Sequence, residues 1–183
     1  MSFFKSRFSV KQFRLFDLLL LTVLVAAGVV LDRFLSINAW NVKIGFGFMP
    51  VAVAAYLYGC IGSMVTAVLA DFIGALLFPI GPYFPGFTLT AAVTGFIFGI
   101  FLYKNCKILN VVAAALITGV ICTLLLNTLW ICILYSSQFV PVLITRLFQF
   151  VIISIAQIIA LQFLYVVDLP LKAIGKRKKS RYL

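Results

Sequence analysis

The chain has 183 residues, of which 64% are hydrophobic and only 10% charged, with a mean hydropathy of +1.21 and a net charge of +11. Soluble domains carry roughly 25% charged residues, so this composition excludes a water-soluble globular fold and marks an integral membrane protein. His and Glu are absent; that removes the commonest general base and usual zinc ligands, so neither catalysis nor a metal or other cofactor is expected.

Residues 1–14 interleave Lys5, Arg7, Lys11 and Arg14 with Phe3, Phe4, Phe8 and Phe13, a pattern suited to a short cytoplasmic helix lying in the membrane interface. The apolar run that follows continues to Leu31, past a normal signal-peptide core, although Val25-Ala26-Ala27 resembles a cleavage site. It reads as an uncleaved first helix over 15–37. Like the later run 151–164 it lacks period-two alternation, which selects helices over a barrel. Thr22 and Ala26 put small residues on one face of this helix, and Arg33 lies near its outer end. Lys43 falls in the first external loop.

The stretch 44–78 is too long for one span and short for two at about 20 residues each. Pro50 suits a first helical turn, and Gly59 with Gly62 suits a tight hairpin. Asp71 lies in its second half, amid apolar residues. A loop rich in Pro, Gly and aromatics follows over 79–87, where Tyr83 and Phe84 offer faces for stacking. Further helices are expected over 87–103, 109–135 and 140–167. Asn127 and Trp130 lie in the outer part of the second of these, Arg146 and Gln149 in the outer part of the third. Gly95 and Gly99 permit close helix approach.

Charge parity chooses between five and six spans. With two spans in 44–78, the N-terminal bases, Lys104 with Lys107, and the cluster from Lys172 to Arg181 all fall on one side, as the positive-inside bias requires. The expectation is an all-α integral membrane protein of six transmembrane helices with N- and C-termini cytoplasmic. Its parts are a basic, aromatic segment over 1–14, a substrate-binding domain over 15–168 and a basic tail over 169–183. These clusters border apolar spans, which points to topology and anionic lipid rather than nucleic acid. Cys60, Cys106, Cys122 and Cys132 show no CxxC spacing and read as small core residues.

Arg33, Lys43 and Arg146 are the three cations left near the outer face. Converging there, they would form a funnel for carboxylates or phosphates, with Asp71 deeper as an acceptor for a donor edge. The competing reading pairs Asp71, or Asp32, with an arginine internally. Aromatic and polar groups at the interface also have a plain role as a belt or as helix–helix bonds. No Walker A sequence occurs, so a small bundle with a deep site and no motor suggests a capture subunit.

Lys43-Ile44-Gly45-Phe46-Gly47-Phe48-Met49-Pro50, Ala70-Asp71-Phe72-Ile73-Gly74-Ala75 and Gly81-Pro82-Tyr83-Phe84-Pro85-Gly86-Phe87-Thr88-Leu89 resemble the substrate-binding S components of energy-coupling factor (ECF) vitamin transporters, folate type. Arg33-Phe34-Leu35-Ser36-Ile37 and the long last helices extend the resemblance over nearly the whole chain. It implies a non-enzymatic, multi-pass subunit of the cell membrane that captures folate with high affinity and works with a membrane T component and two cytoplasmic ATPases. It is thought to topple in the membrane to release the vitamin. Family docking uses an Ala-xxx-Ala face on the first helix, where this chain has Thr22 and Ala26. Folate chemistry suits the residues: two tail carboxylates for Arg33, Lys43 and Arg146, adjacent pterin N–H donors for Asp71, and flat rings for Tyr83, Phe84 or Trp130. Alternatives are an S component for pantothenate or a hydroxymethylpyrimidine, or a structural membrane subunit.

Overall fold

A computed structural model describes residues 15–39, 42–79, 82–104, 107–136 and 138–180, with side chains left aside at 37–44 and from 163 onward. The expected interfacial helix over 1–14 and Cys106 lie outside the described residues. The architecture is helical apart from one small hairpin. Helix α1 spans Leu15–Arg33, strands β1 (Ile37–Ala39) and β2 (Val42–Ile44) follow, and α2 spans Phe48–Leu77. Then come α3 (Pro85–Leu102), α4 (Ile108–Thr118), a π-helical segment Gly119–Leu126, α5 (Asn127–Tyr135) and α6 (Phe139–Ser180).

Helix α1 ends four residues earlier than expected, because the chain turns into an antiparallel hairpin, pairing Asn38 with Lys43, within the first loop. Thirty residues of α2 contain one break: Gly59 adopts φ 72°, ψ −157°, a region that essentially only Gly enters. Its two limbs run in opposite directions. Near the break, the Lys104 amide donates to the Tyr56 carbonyl at 3.3 Å and the Tyr58 hydroxyl reaches Asp17 at 3.4 Å. At the other end, Phe48 and Val51 of the first limb share a cavity with Ala67, Ala70 and Asp71 of the second. Gly62 stays helical, buried against Tyr58.

The second limb packs tightly on α3. A Cβ built at Gly95 would stand 2.6 Å from the Ser63 carbonyl oxygen, and one at Gly99 only 2.3 Å from the Cys60 Cα. Without side chains at these points the backbones close up, and dispersion contacts replace the hydrophobic drive that lipid does not supply. The Ser63 hydroxyl adds a 2.6 Å bond to the Gly95 carbonyl.

Five helices among the described residues are long and apolar enough to cross a membrane: Leu15–Arg33, Phe48–Leu77, Pro85–Leu102, Ile108–Tyr135 and Phe139–Gln162. Large apolar side chains such as Leu19 and Phe148 stay exposed on their outer faces, as lipid-facing residues do. Ala55, Phe98, Leu102, Val111, Ala114 and Leu161 form the core. Val51, Ala52 and Ala67 belong to the same cluster, and Val51 and Ala67 also line a cavity.

Candidate functional site

The bundle contains a cavity of ≈ 260 Å³. Gly28 and Asp32 enter it from α1, Gly47, Phe48 and Val51 from the start of α2, and Ala67, Ala70 and Asp71 from its second limb. Helix α3 adds Phe87, Thr90, Ala91 and Thr94, and α5 adds Asn127. Small residues open the space, two phenyl rings give flat apolar surface, and the polar atoms are few. That composition is typical of a small-molecule pocket.

Asp71 is held in place. Its Oδ2 accepts from the Thr88 hydroxyl at 2.8 Å, and Thr88 Oγ1 lies 3.1 Å from the Tyr83 hydroxyl. Tyr83 itself is exposed and sets its ring edge-on to Phe72 at 5.9 Å. Thus the short connection before α3 is tied to the acid in the cavity through one threonine. Pro85 at the first turn of α3 costs no hydrogen bond there.

An aromatic wall forms beside it. Phe84 and Trp130 stand 5.6 Å apart, and the Trp130 indole N–H donates to Thr90 Oγ1 at 3.0 Å. Gly86 makes this possible, since a Cβ there would come within 2.6 Å of both rings. Buried Tyr and Trp side chains need such a polar partner, and Thr90, itself on the cavity, provides it.

Of the three cations expected at the funnel, Arg33 and Arg146 have described side chains. Neither Arg33 nor Arg146 is among the residues that line the cavity. Arg33 lies against Gly74, with Nε 3.9 Å from Asp32 Oδ2. Lys43 is placed by its backbone alone, on β2 opposite Asn38. Arg146 is 5% exposed; its Nη1 reaches the Thr123 carbonyl at 3.5 Å, while its Nε has no hydrogen-bond partner. Gln149, Ser154 and Gln157 are also buried on α6, and Phe150 with Ser154 meets Gly119 of the π-helical segment. The structure therefore brings Asp71, Asn127, Tyr83, Phe84 and Trp130 to the cavity or its rim, and sets Arg146 with Gln149 in a separate polar seam. Thr22 and Ala26 lie exposed on α1, with the Thr22 hydroxyl turned back to the Leu18 carbonyl at 2.9 Å.

Sequence reasoning overlooked Phe48, Phe87, Thr88, Thr90 and Thr94, and treated Asp32 only as an internal partner. Hydroxyls on apolar helices carry little signal, because they routinely bond the preceding turn, as Thr94 does to Thr90.

A bundle of membrane-length helices with an open cavity walled by an acid, an amide and phenyl rings is suited to hold a small molecule. The chain is a member of the ECF transporter, substrate-specific component family, which it matches over residues 16–168. It is 38% identical over 125 residues to the folate transporter FolT of Clostridium novyi (strain NT), covering 68% of this chain and 73% of that protein. It is 31% identical over 120 residues to the folate transporter FolT of Leuconostoc mesenteroides, covering 64% of each. A crystal structure of FolT bound with folic acid superposes with a TM-score of 0.78 at 33% identity, covering 82% of this chain and 93% of that one.

Proposed function

We propose that this chain captures folate at the outer face of the cell membrane and delivers it inward with an ECF T component and two cytoplasmic ATPases. The observation that carries this reading is the cavity between α1, α2 and α3, where Asp71 is fixed by Thr88 and flanked by aromatic rings, in a chain similar to a FolT solved with folic acid. Asp71 meets the pterin donors, and Asn127 adds a polar group on the same cavity; Tyr83, Phe84 and Trp130 cover the rings. Lys43 and Arg146, with Gln149 beside it, take the carboxylates of the tail. The unpartnered Nε of Arg146 favours this, because a buried cation gains most from an anion that also fills its donors.

The bundle crosses the membrane six times with both termini cytoplasmic, residues 15–168 forming the binding domain between the segments 1–14 and 169–183. The break at Gly59, level with Lys104 and Asp17, supports a turn on the cytoplasmic side. The T component docks on the exposed face of α1 at Thr22 and Ala26. In proteoliposomes, folate uptake is expected only when T component, ATPases and ATP are all present, and Ala26→Trp is expected to abolish uptake while sparing binding. Uptake by this chain alone, without ATP, contradicts the reading.

A further inference from the structure

We infer that Asp32 is a second ligand-facing carboxylate of the cavity and that Arg33 is a positioning residue that holds it there. The inference rests on the folate reading above. An amino-oxo pteridine edge carries three N–H hydrogens, one on the ring and two on the amino group. One carboxylate accepts the ring N–H and one amino N–H in parallel, which leaves the other amino hydrogen pointing away. In an apolar cavity that hydrogen needs its own acceptor, because a buried unmet donor carries the full desolvation penalty.

Asp32 offers such an acceptor. It lines the same cavity as Asp71 but comes from a different wall, the end of α1 rather than the second limb of α2. Two glycines fit this corner closely. A Cβ at Gly47 would lie 2.8 Å from the Asp32 Cβ and 3.2 Å from its Oδ1, and one at Gly74 would lie 2.8 Å from the Arg33 Nε. Any side chain at either position would displace the carboxylate or its neighbour. The Arg33 side chain is only 10% exposed, its Nε lacks a hydrogen-bond partner, and that atom faces Asp32 Oδ2 at 3.9 Å. A guanidinium placed behind one of two carboxylates offsets their mutual repulsion across a small cavity. Arg33, expected from the sequence to grip the glutamate tail, thus acts through Asp32.

The test compares three ligands on the purified chain: folate, pteroate, which lacks the tail, and a folate analogue with the 2-amino group replaced by methyl. Asp32→Asn should weaken folate and pteroate by the same factor, about ten- to a hundredfold, and should reduce the wild-type preference for folate over the methyl analogue, the remainder coming from the amino hydrogen that Asp71 accepts. Arg33→Gln should give a smaller loss on the same two ligands and nothing further in the Asp32→Asn background, with Arg33→Lys restoring binding. Thermal unfolding of each variant monitors folding. If Asp32→Asn does not fold, Asp32→Glu, which keeps the charge but moves it, should show the same selective loss. Unchanged folate affinity in Asp32→Asn, an intact preference against the methyl analogue, or an Arg33→Gln loss confined to folate and absent for pteroate would overturn the inference while leaving folate capture standing. A wild-type chain that binds neither folate nor pteroate would overturn both.

Discussion

Asp71 and Arg146 are each costly at membrane depth, and the structure gives them different surroundings. Asp71 accepts from Thr88 on the cavity wall, whereas Arg146 has one 3.5 Å contact and an unmet Nε in the seam between α6 and the π-helical segment. If one holds the ring and the other the tail, their loss has different signatures. Asp71→Asn should weaken every pterin ligand by about 1.5–3 kcal/mol, while Arg146→Gln should penalise folate and spare pteroate. Titration calorimetry on the purified variants checks this. A double variant that is as stable as the parent and binds folate normally would show that the two merely neutralise each other. Asp71 was legible in the sequence because it is the lone charge in a long apolar stretch. Asp32 was not, since a neighbouring Arg33 makes the pair look self-contained, and only Gly47 and Gly74 reveal how the two are held.

Helix α2 shows how an element can be half legible. Its length, Pro50 and the Gly59 to Gly62 sequence pointed to a turn within 44–78, and the break falls at Gly59. Because that backbone region is nearly closed to other residues, Gly59→Ala should cost about 1–3 kcal/mol, read as a lower unfolding midpoint in detergent. An unchanged midpoint would mean that the turn tolerates ordinary residues and that the limbs are held by packing alone. The hairpin Ile37–Ala39 with Val42–Ile44 and the π-helical segment Gly119–Leu126 had no such signal. Three-residue strands are too short for a visible alternation. A π-helical segment is set by packing against a neighbour, here the approach of Phe150 and Ser154 to Gly119, and that contact joins residues far apart in sequence. Such segments cluster at functional sites, and this one borders Arg146 through the Thr123 carbonyl.

At the scale of the whole molecule, charge placement and cavity placement point the same way. Asp32, Gly47, Phe48 and Asp71, at the ends of α1 and of the two α2 limbs remote from the Gly59 break, line the cavity; a capture subunit needs that end outward. With the other cysteines replaced, Cys106, between α3 and α4 in the sequence, should therefore be shielded from an impermeant thiol reagent in intact cells, and Pro82→Cys at the far end should react. Labelling of Cys106 from outside would reverse the orientation. Overall class was readable from composition, because no other fold tolerates so few charges; pocket contents were not, because they depend on which helix faces meet. The most direct test of folate capture is equilibrium binding of folate, pantothenate and hydroxymethylpyrimidine to the purified wild-type chain, without partners or ATP. Saturable one-to-one binding of folate, with neither of the others competing, is the expected result. Saturable binding of pantothenate or hydroxymethylpyrimidine with none of folate would contradict it.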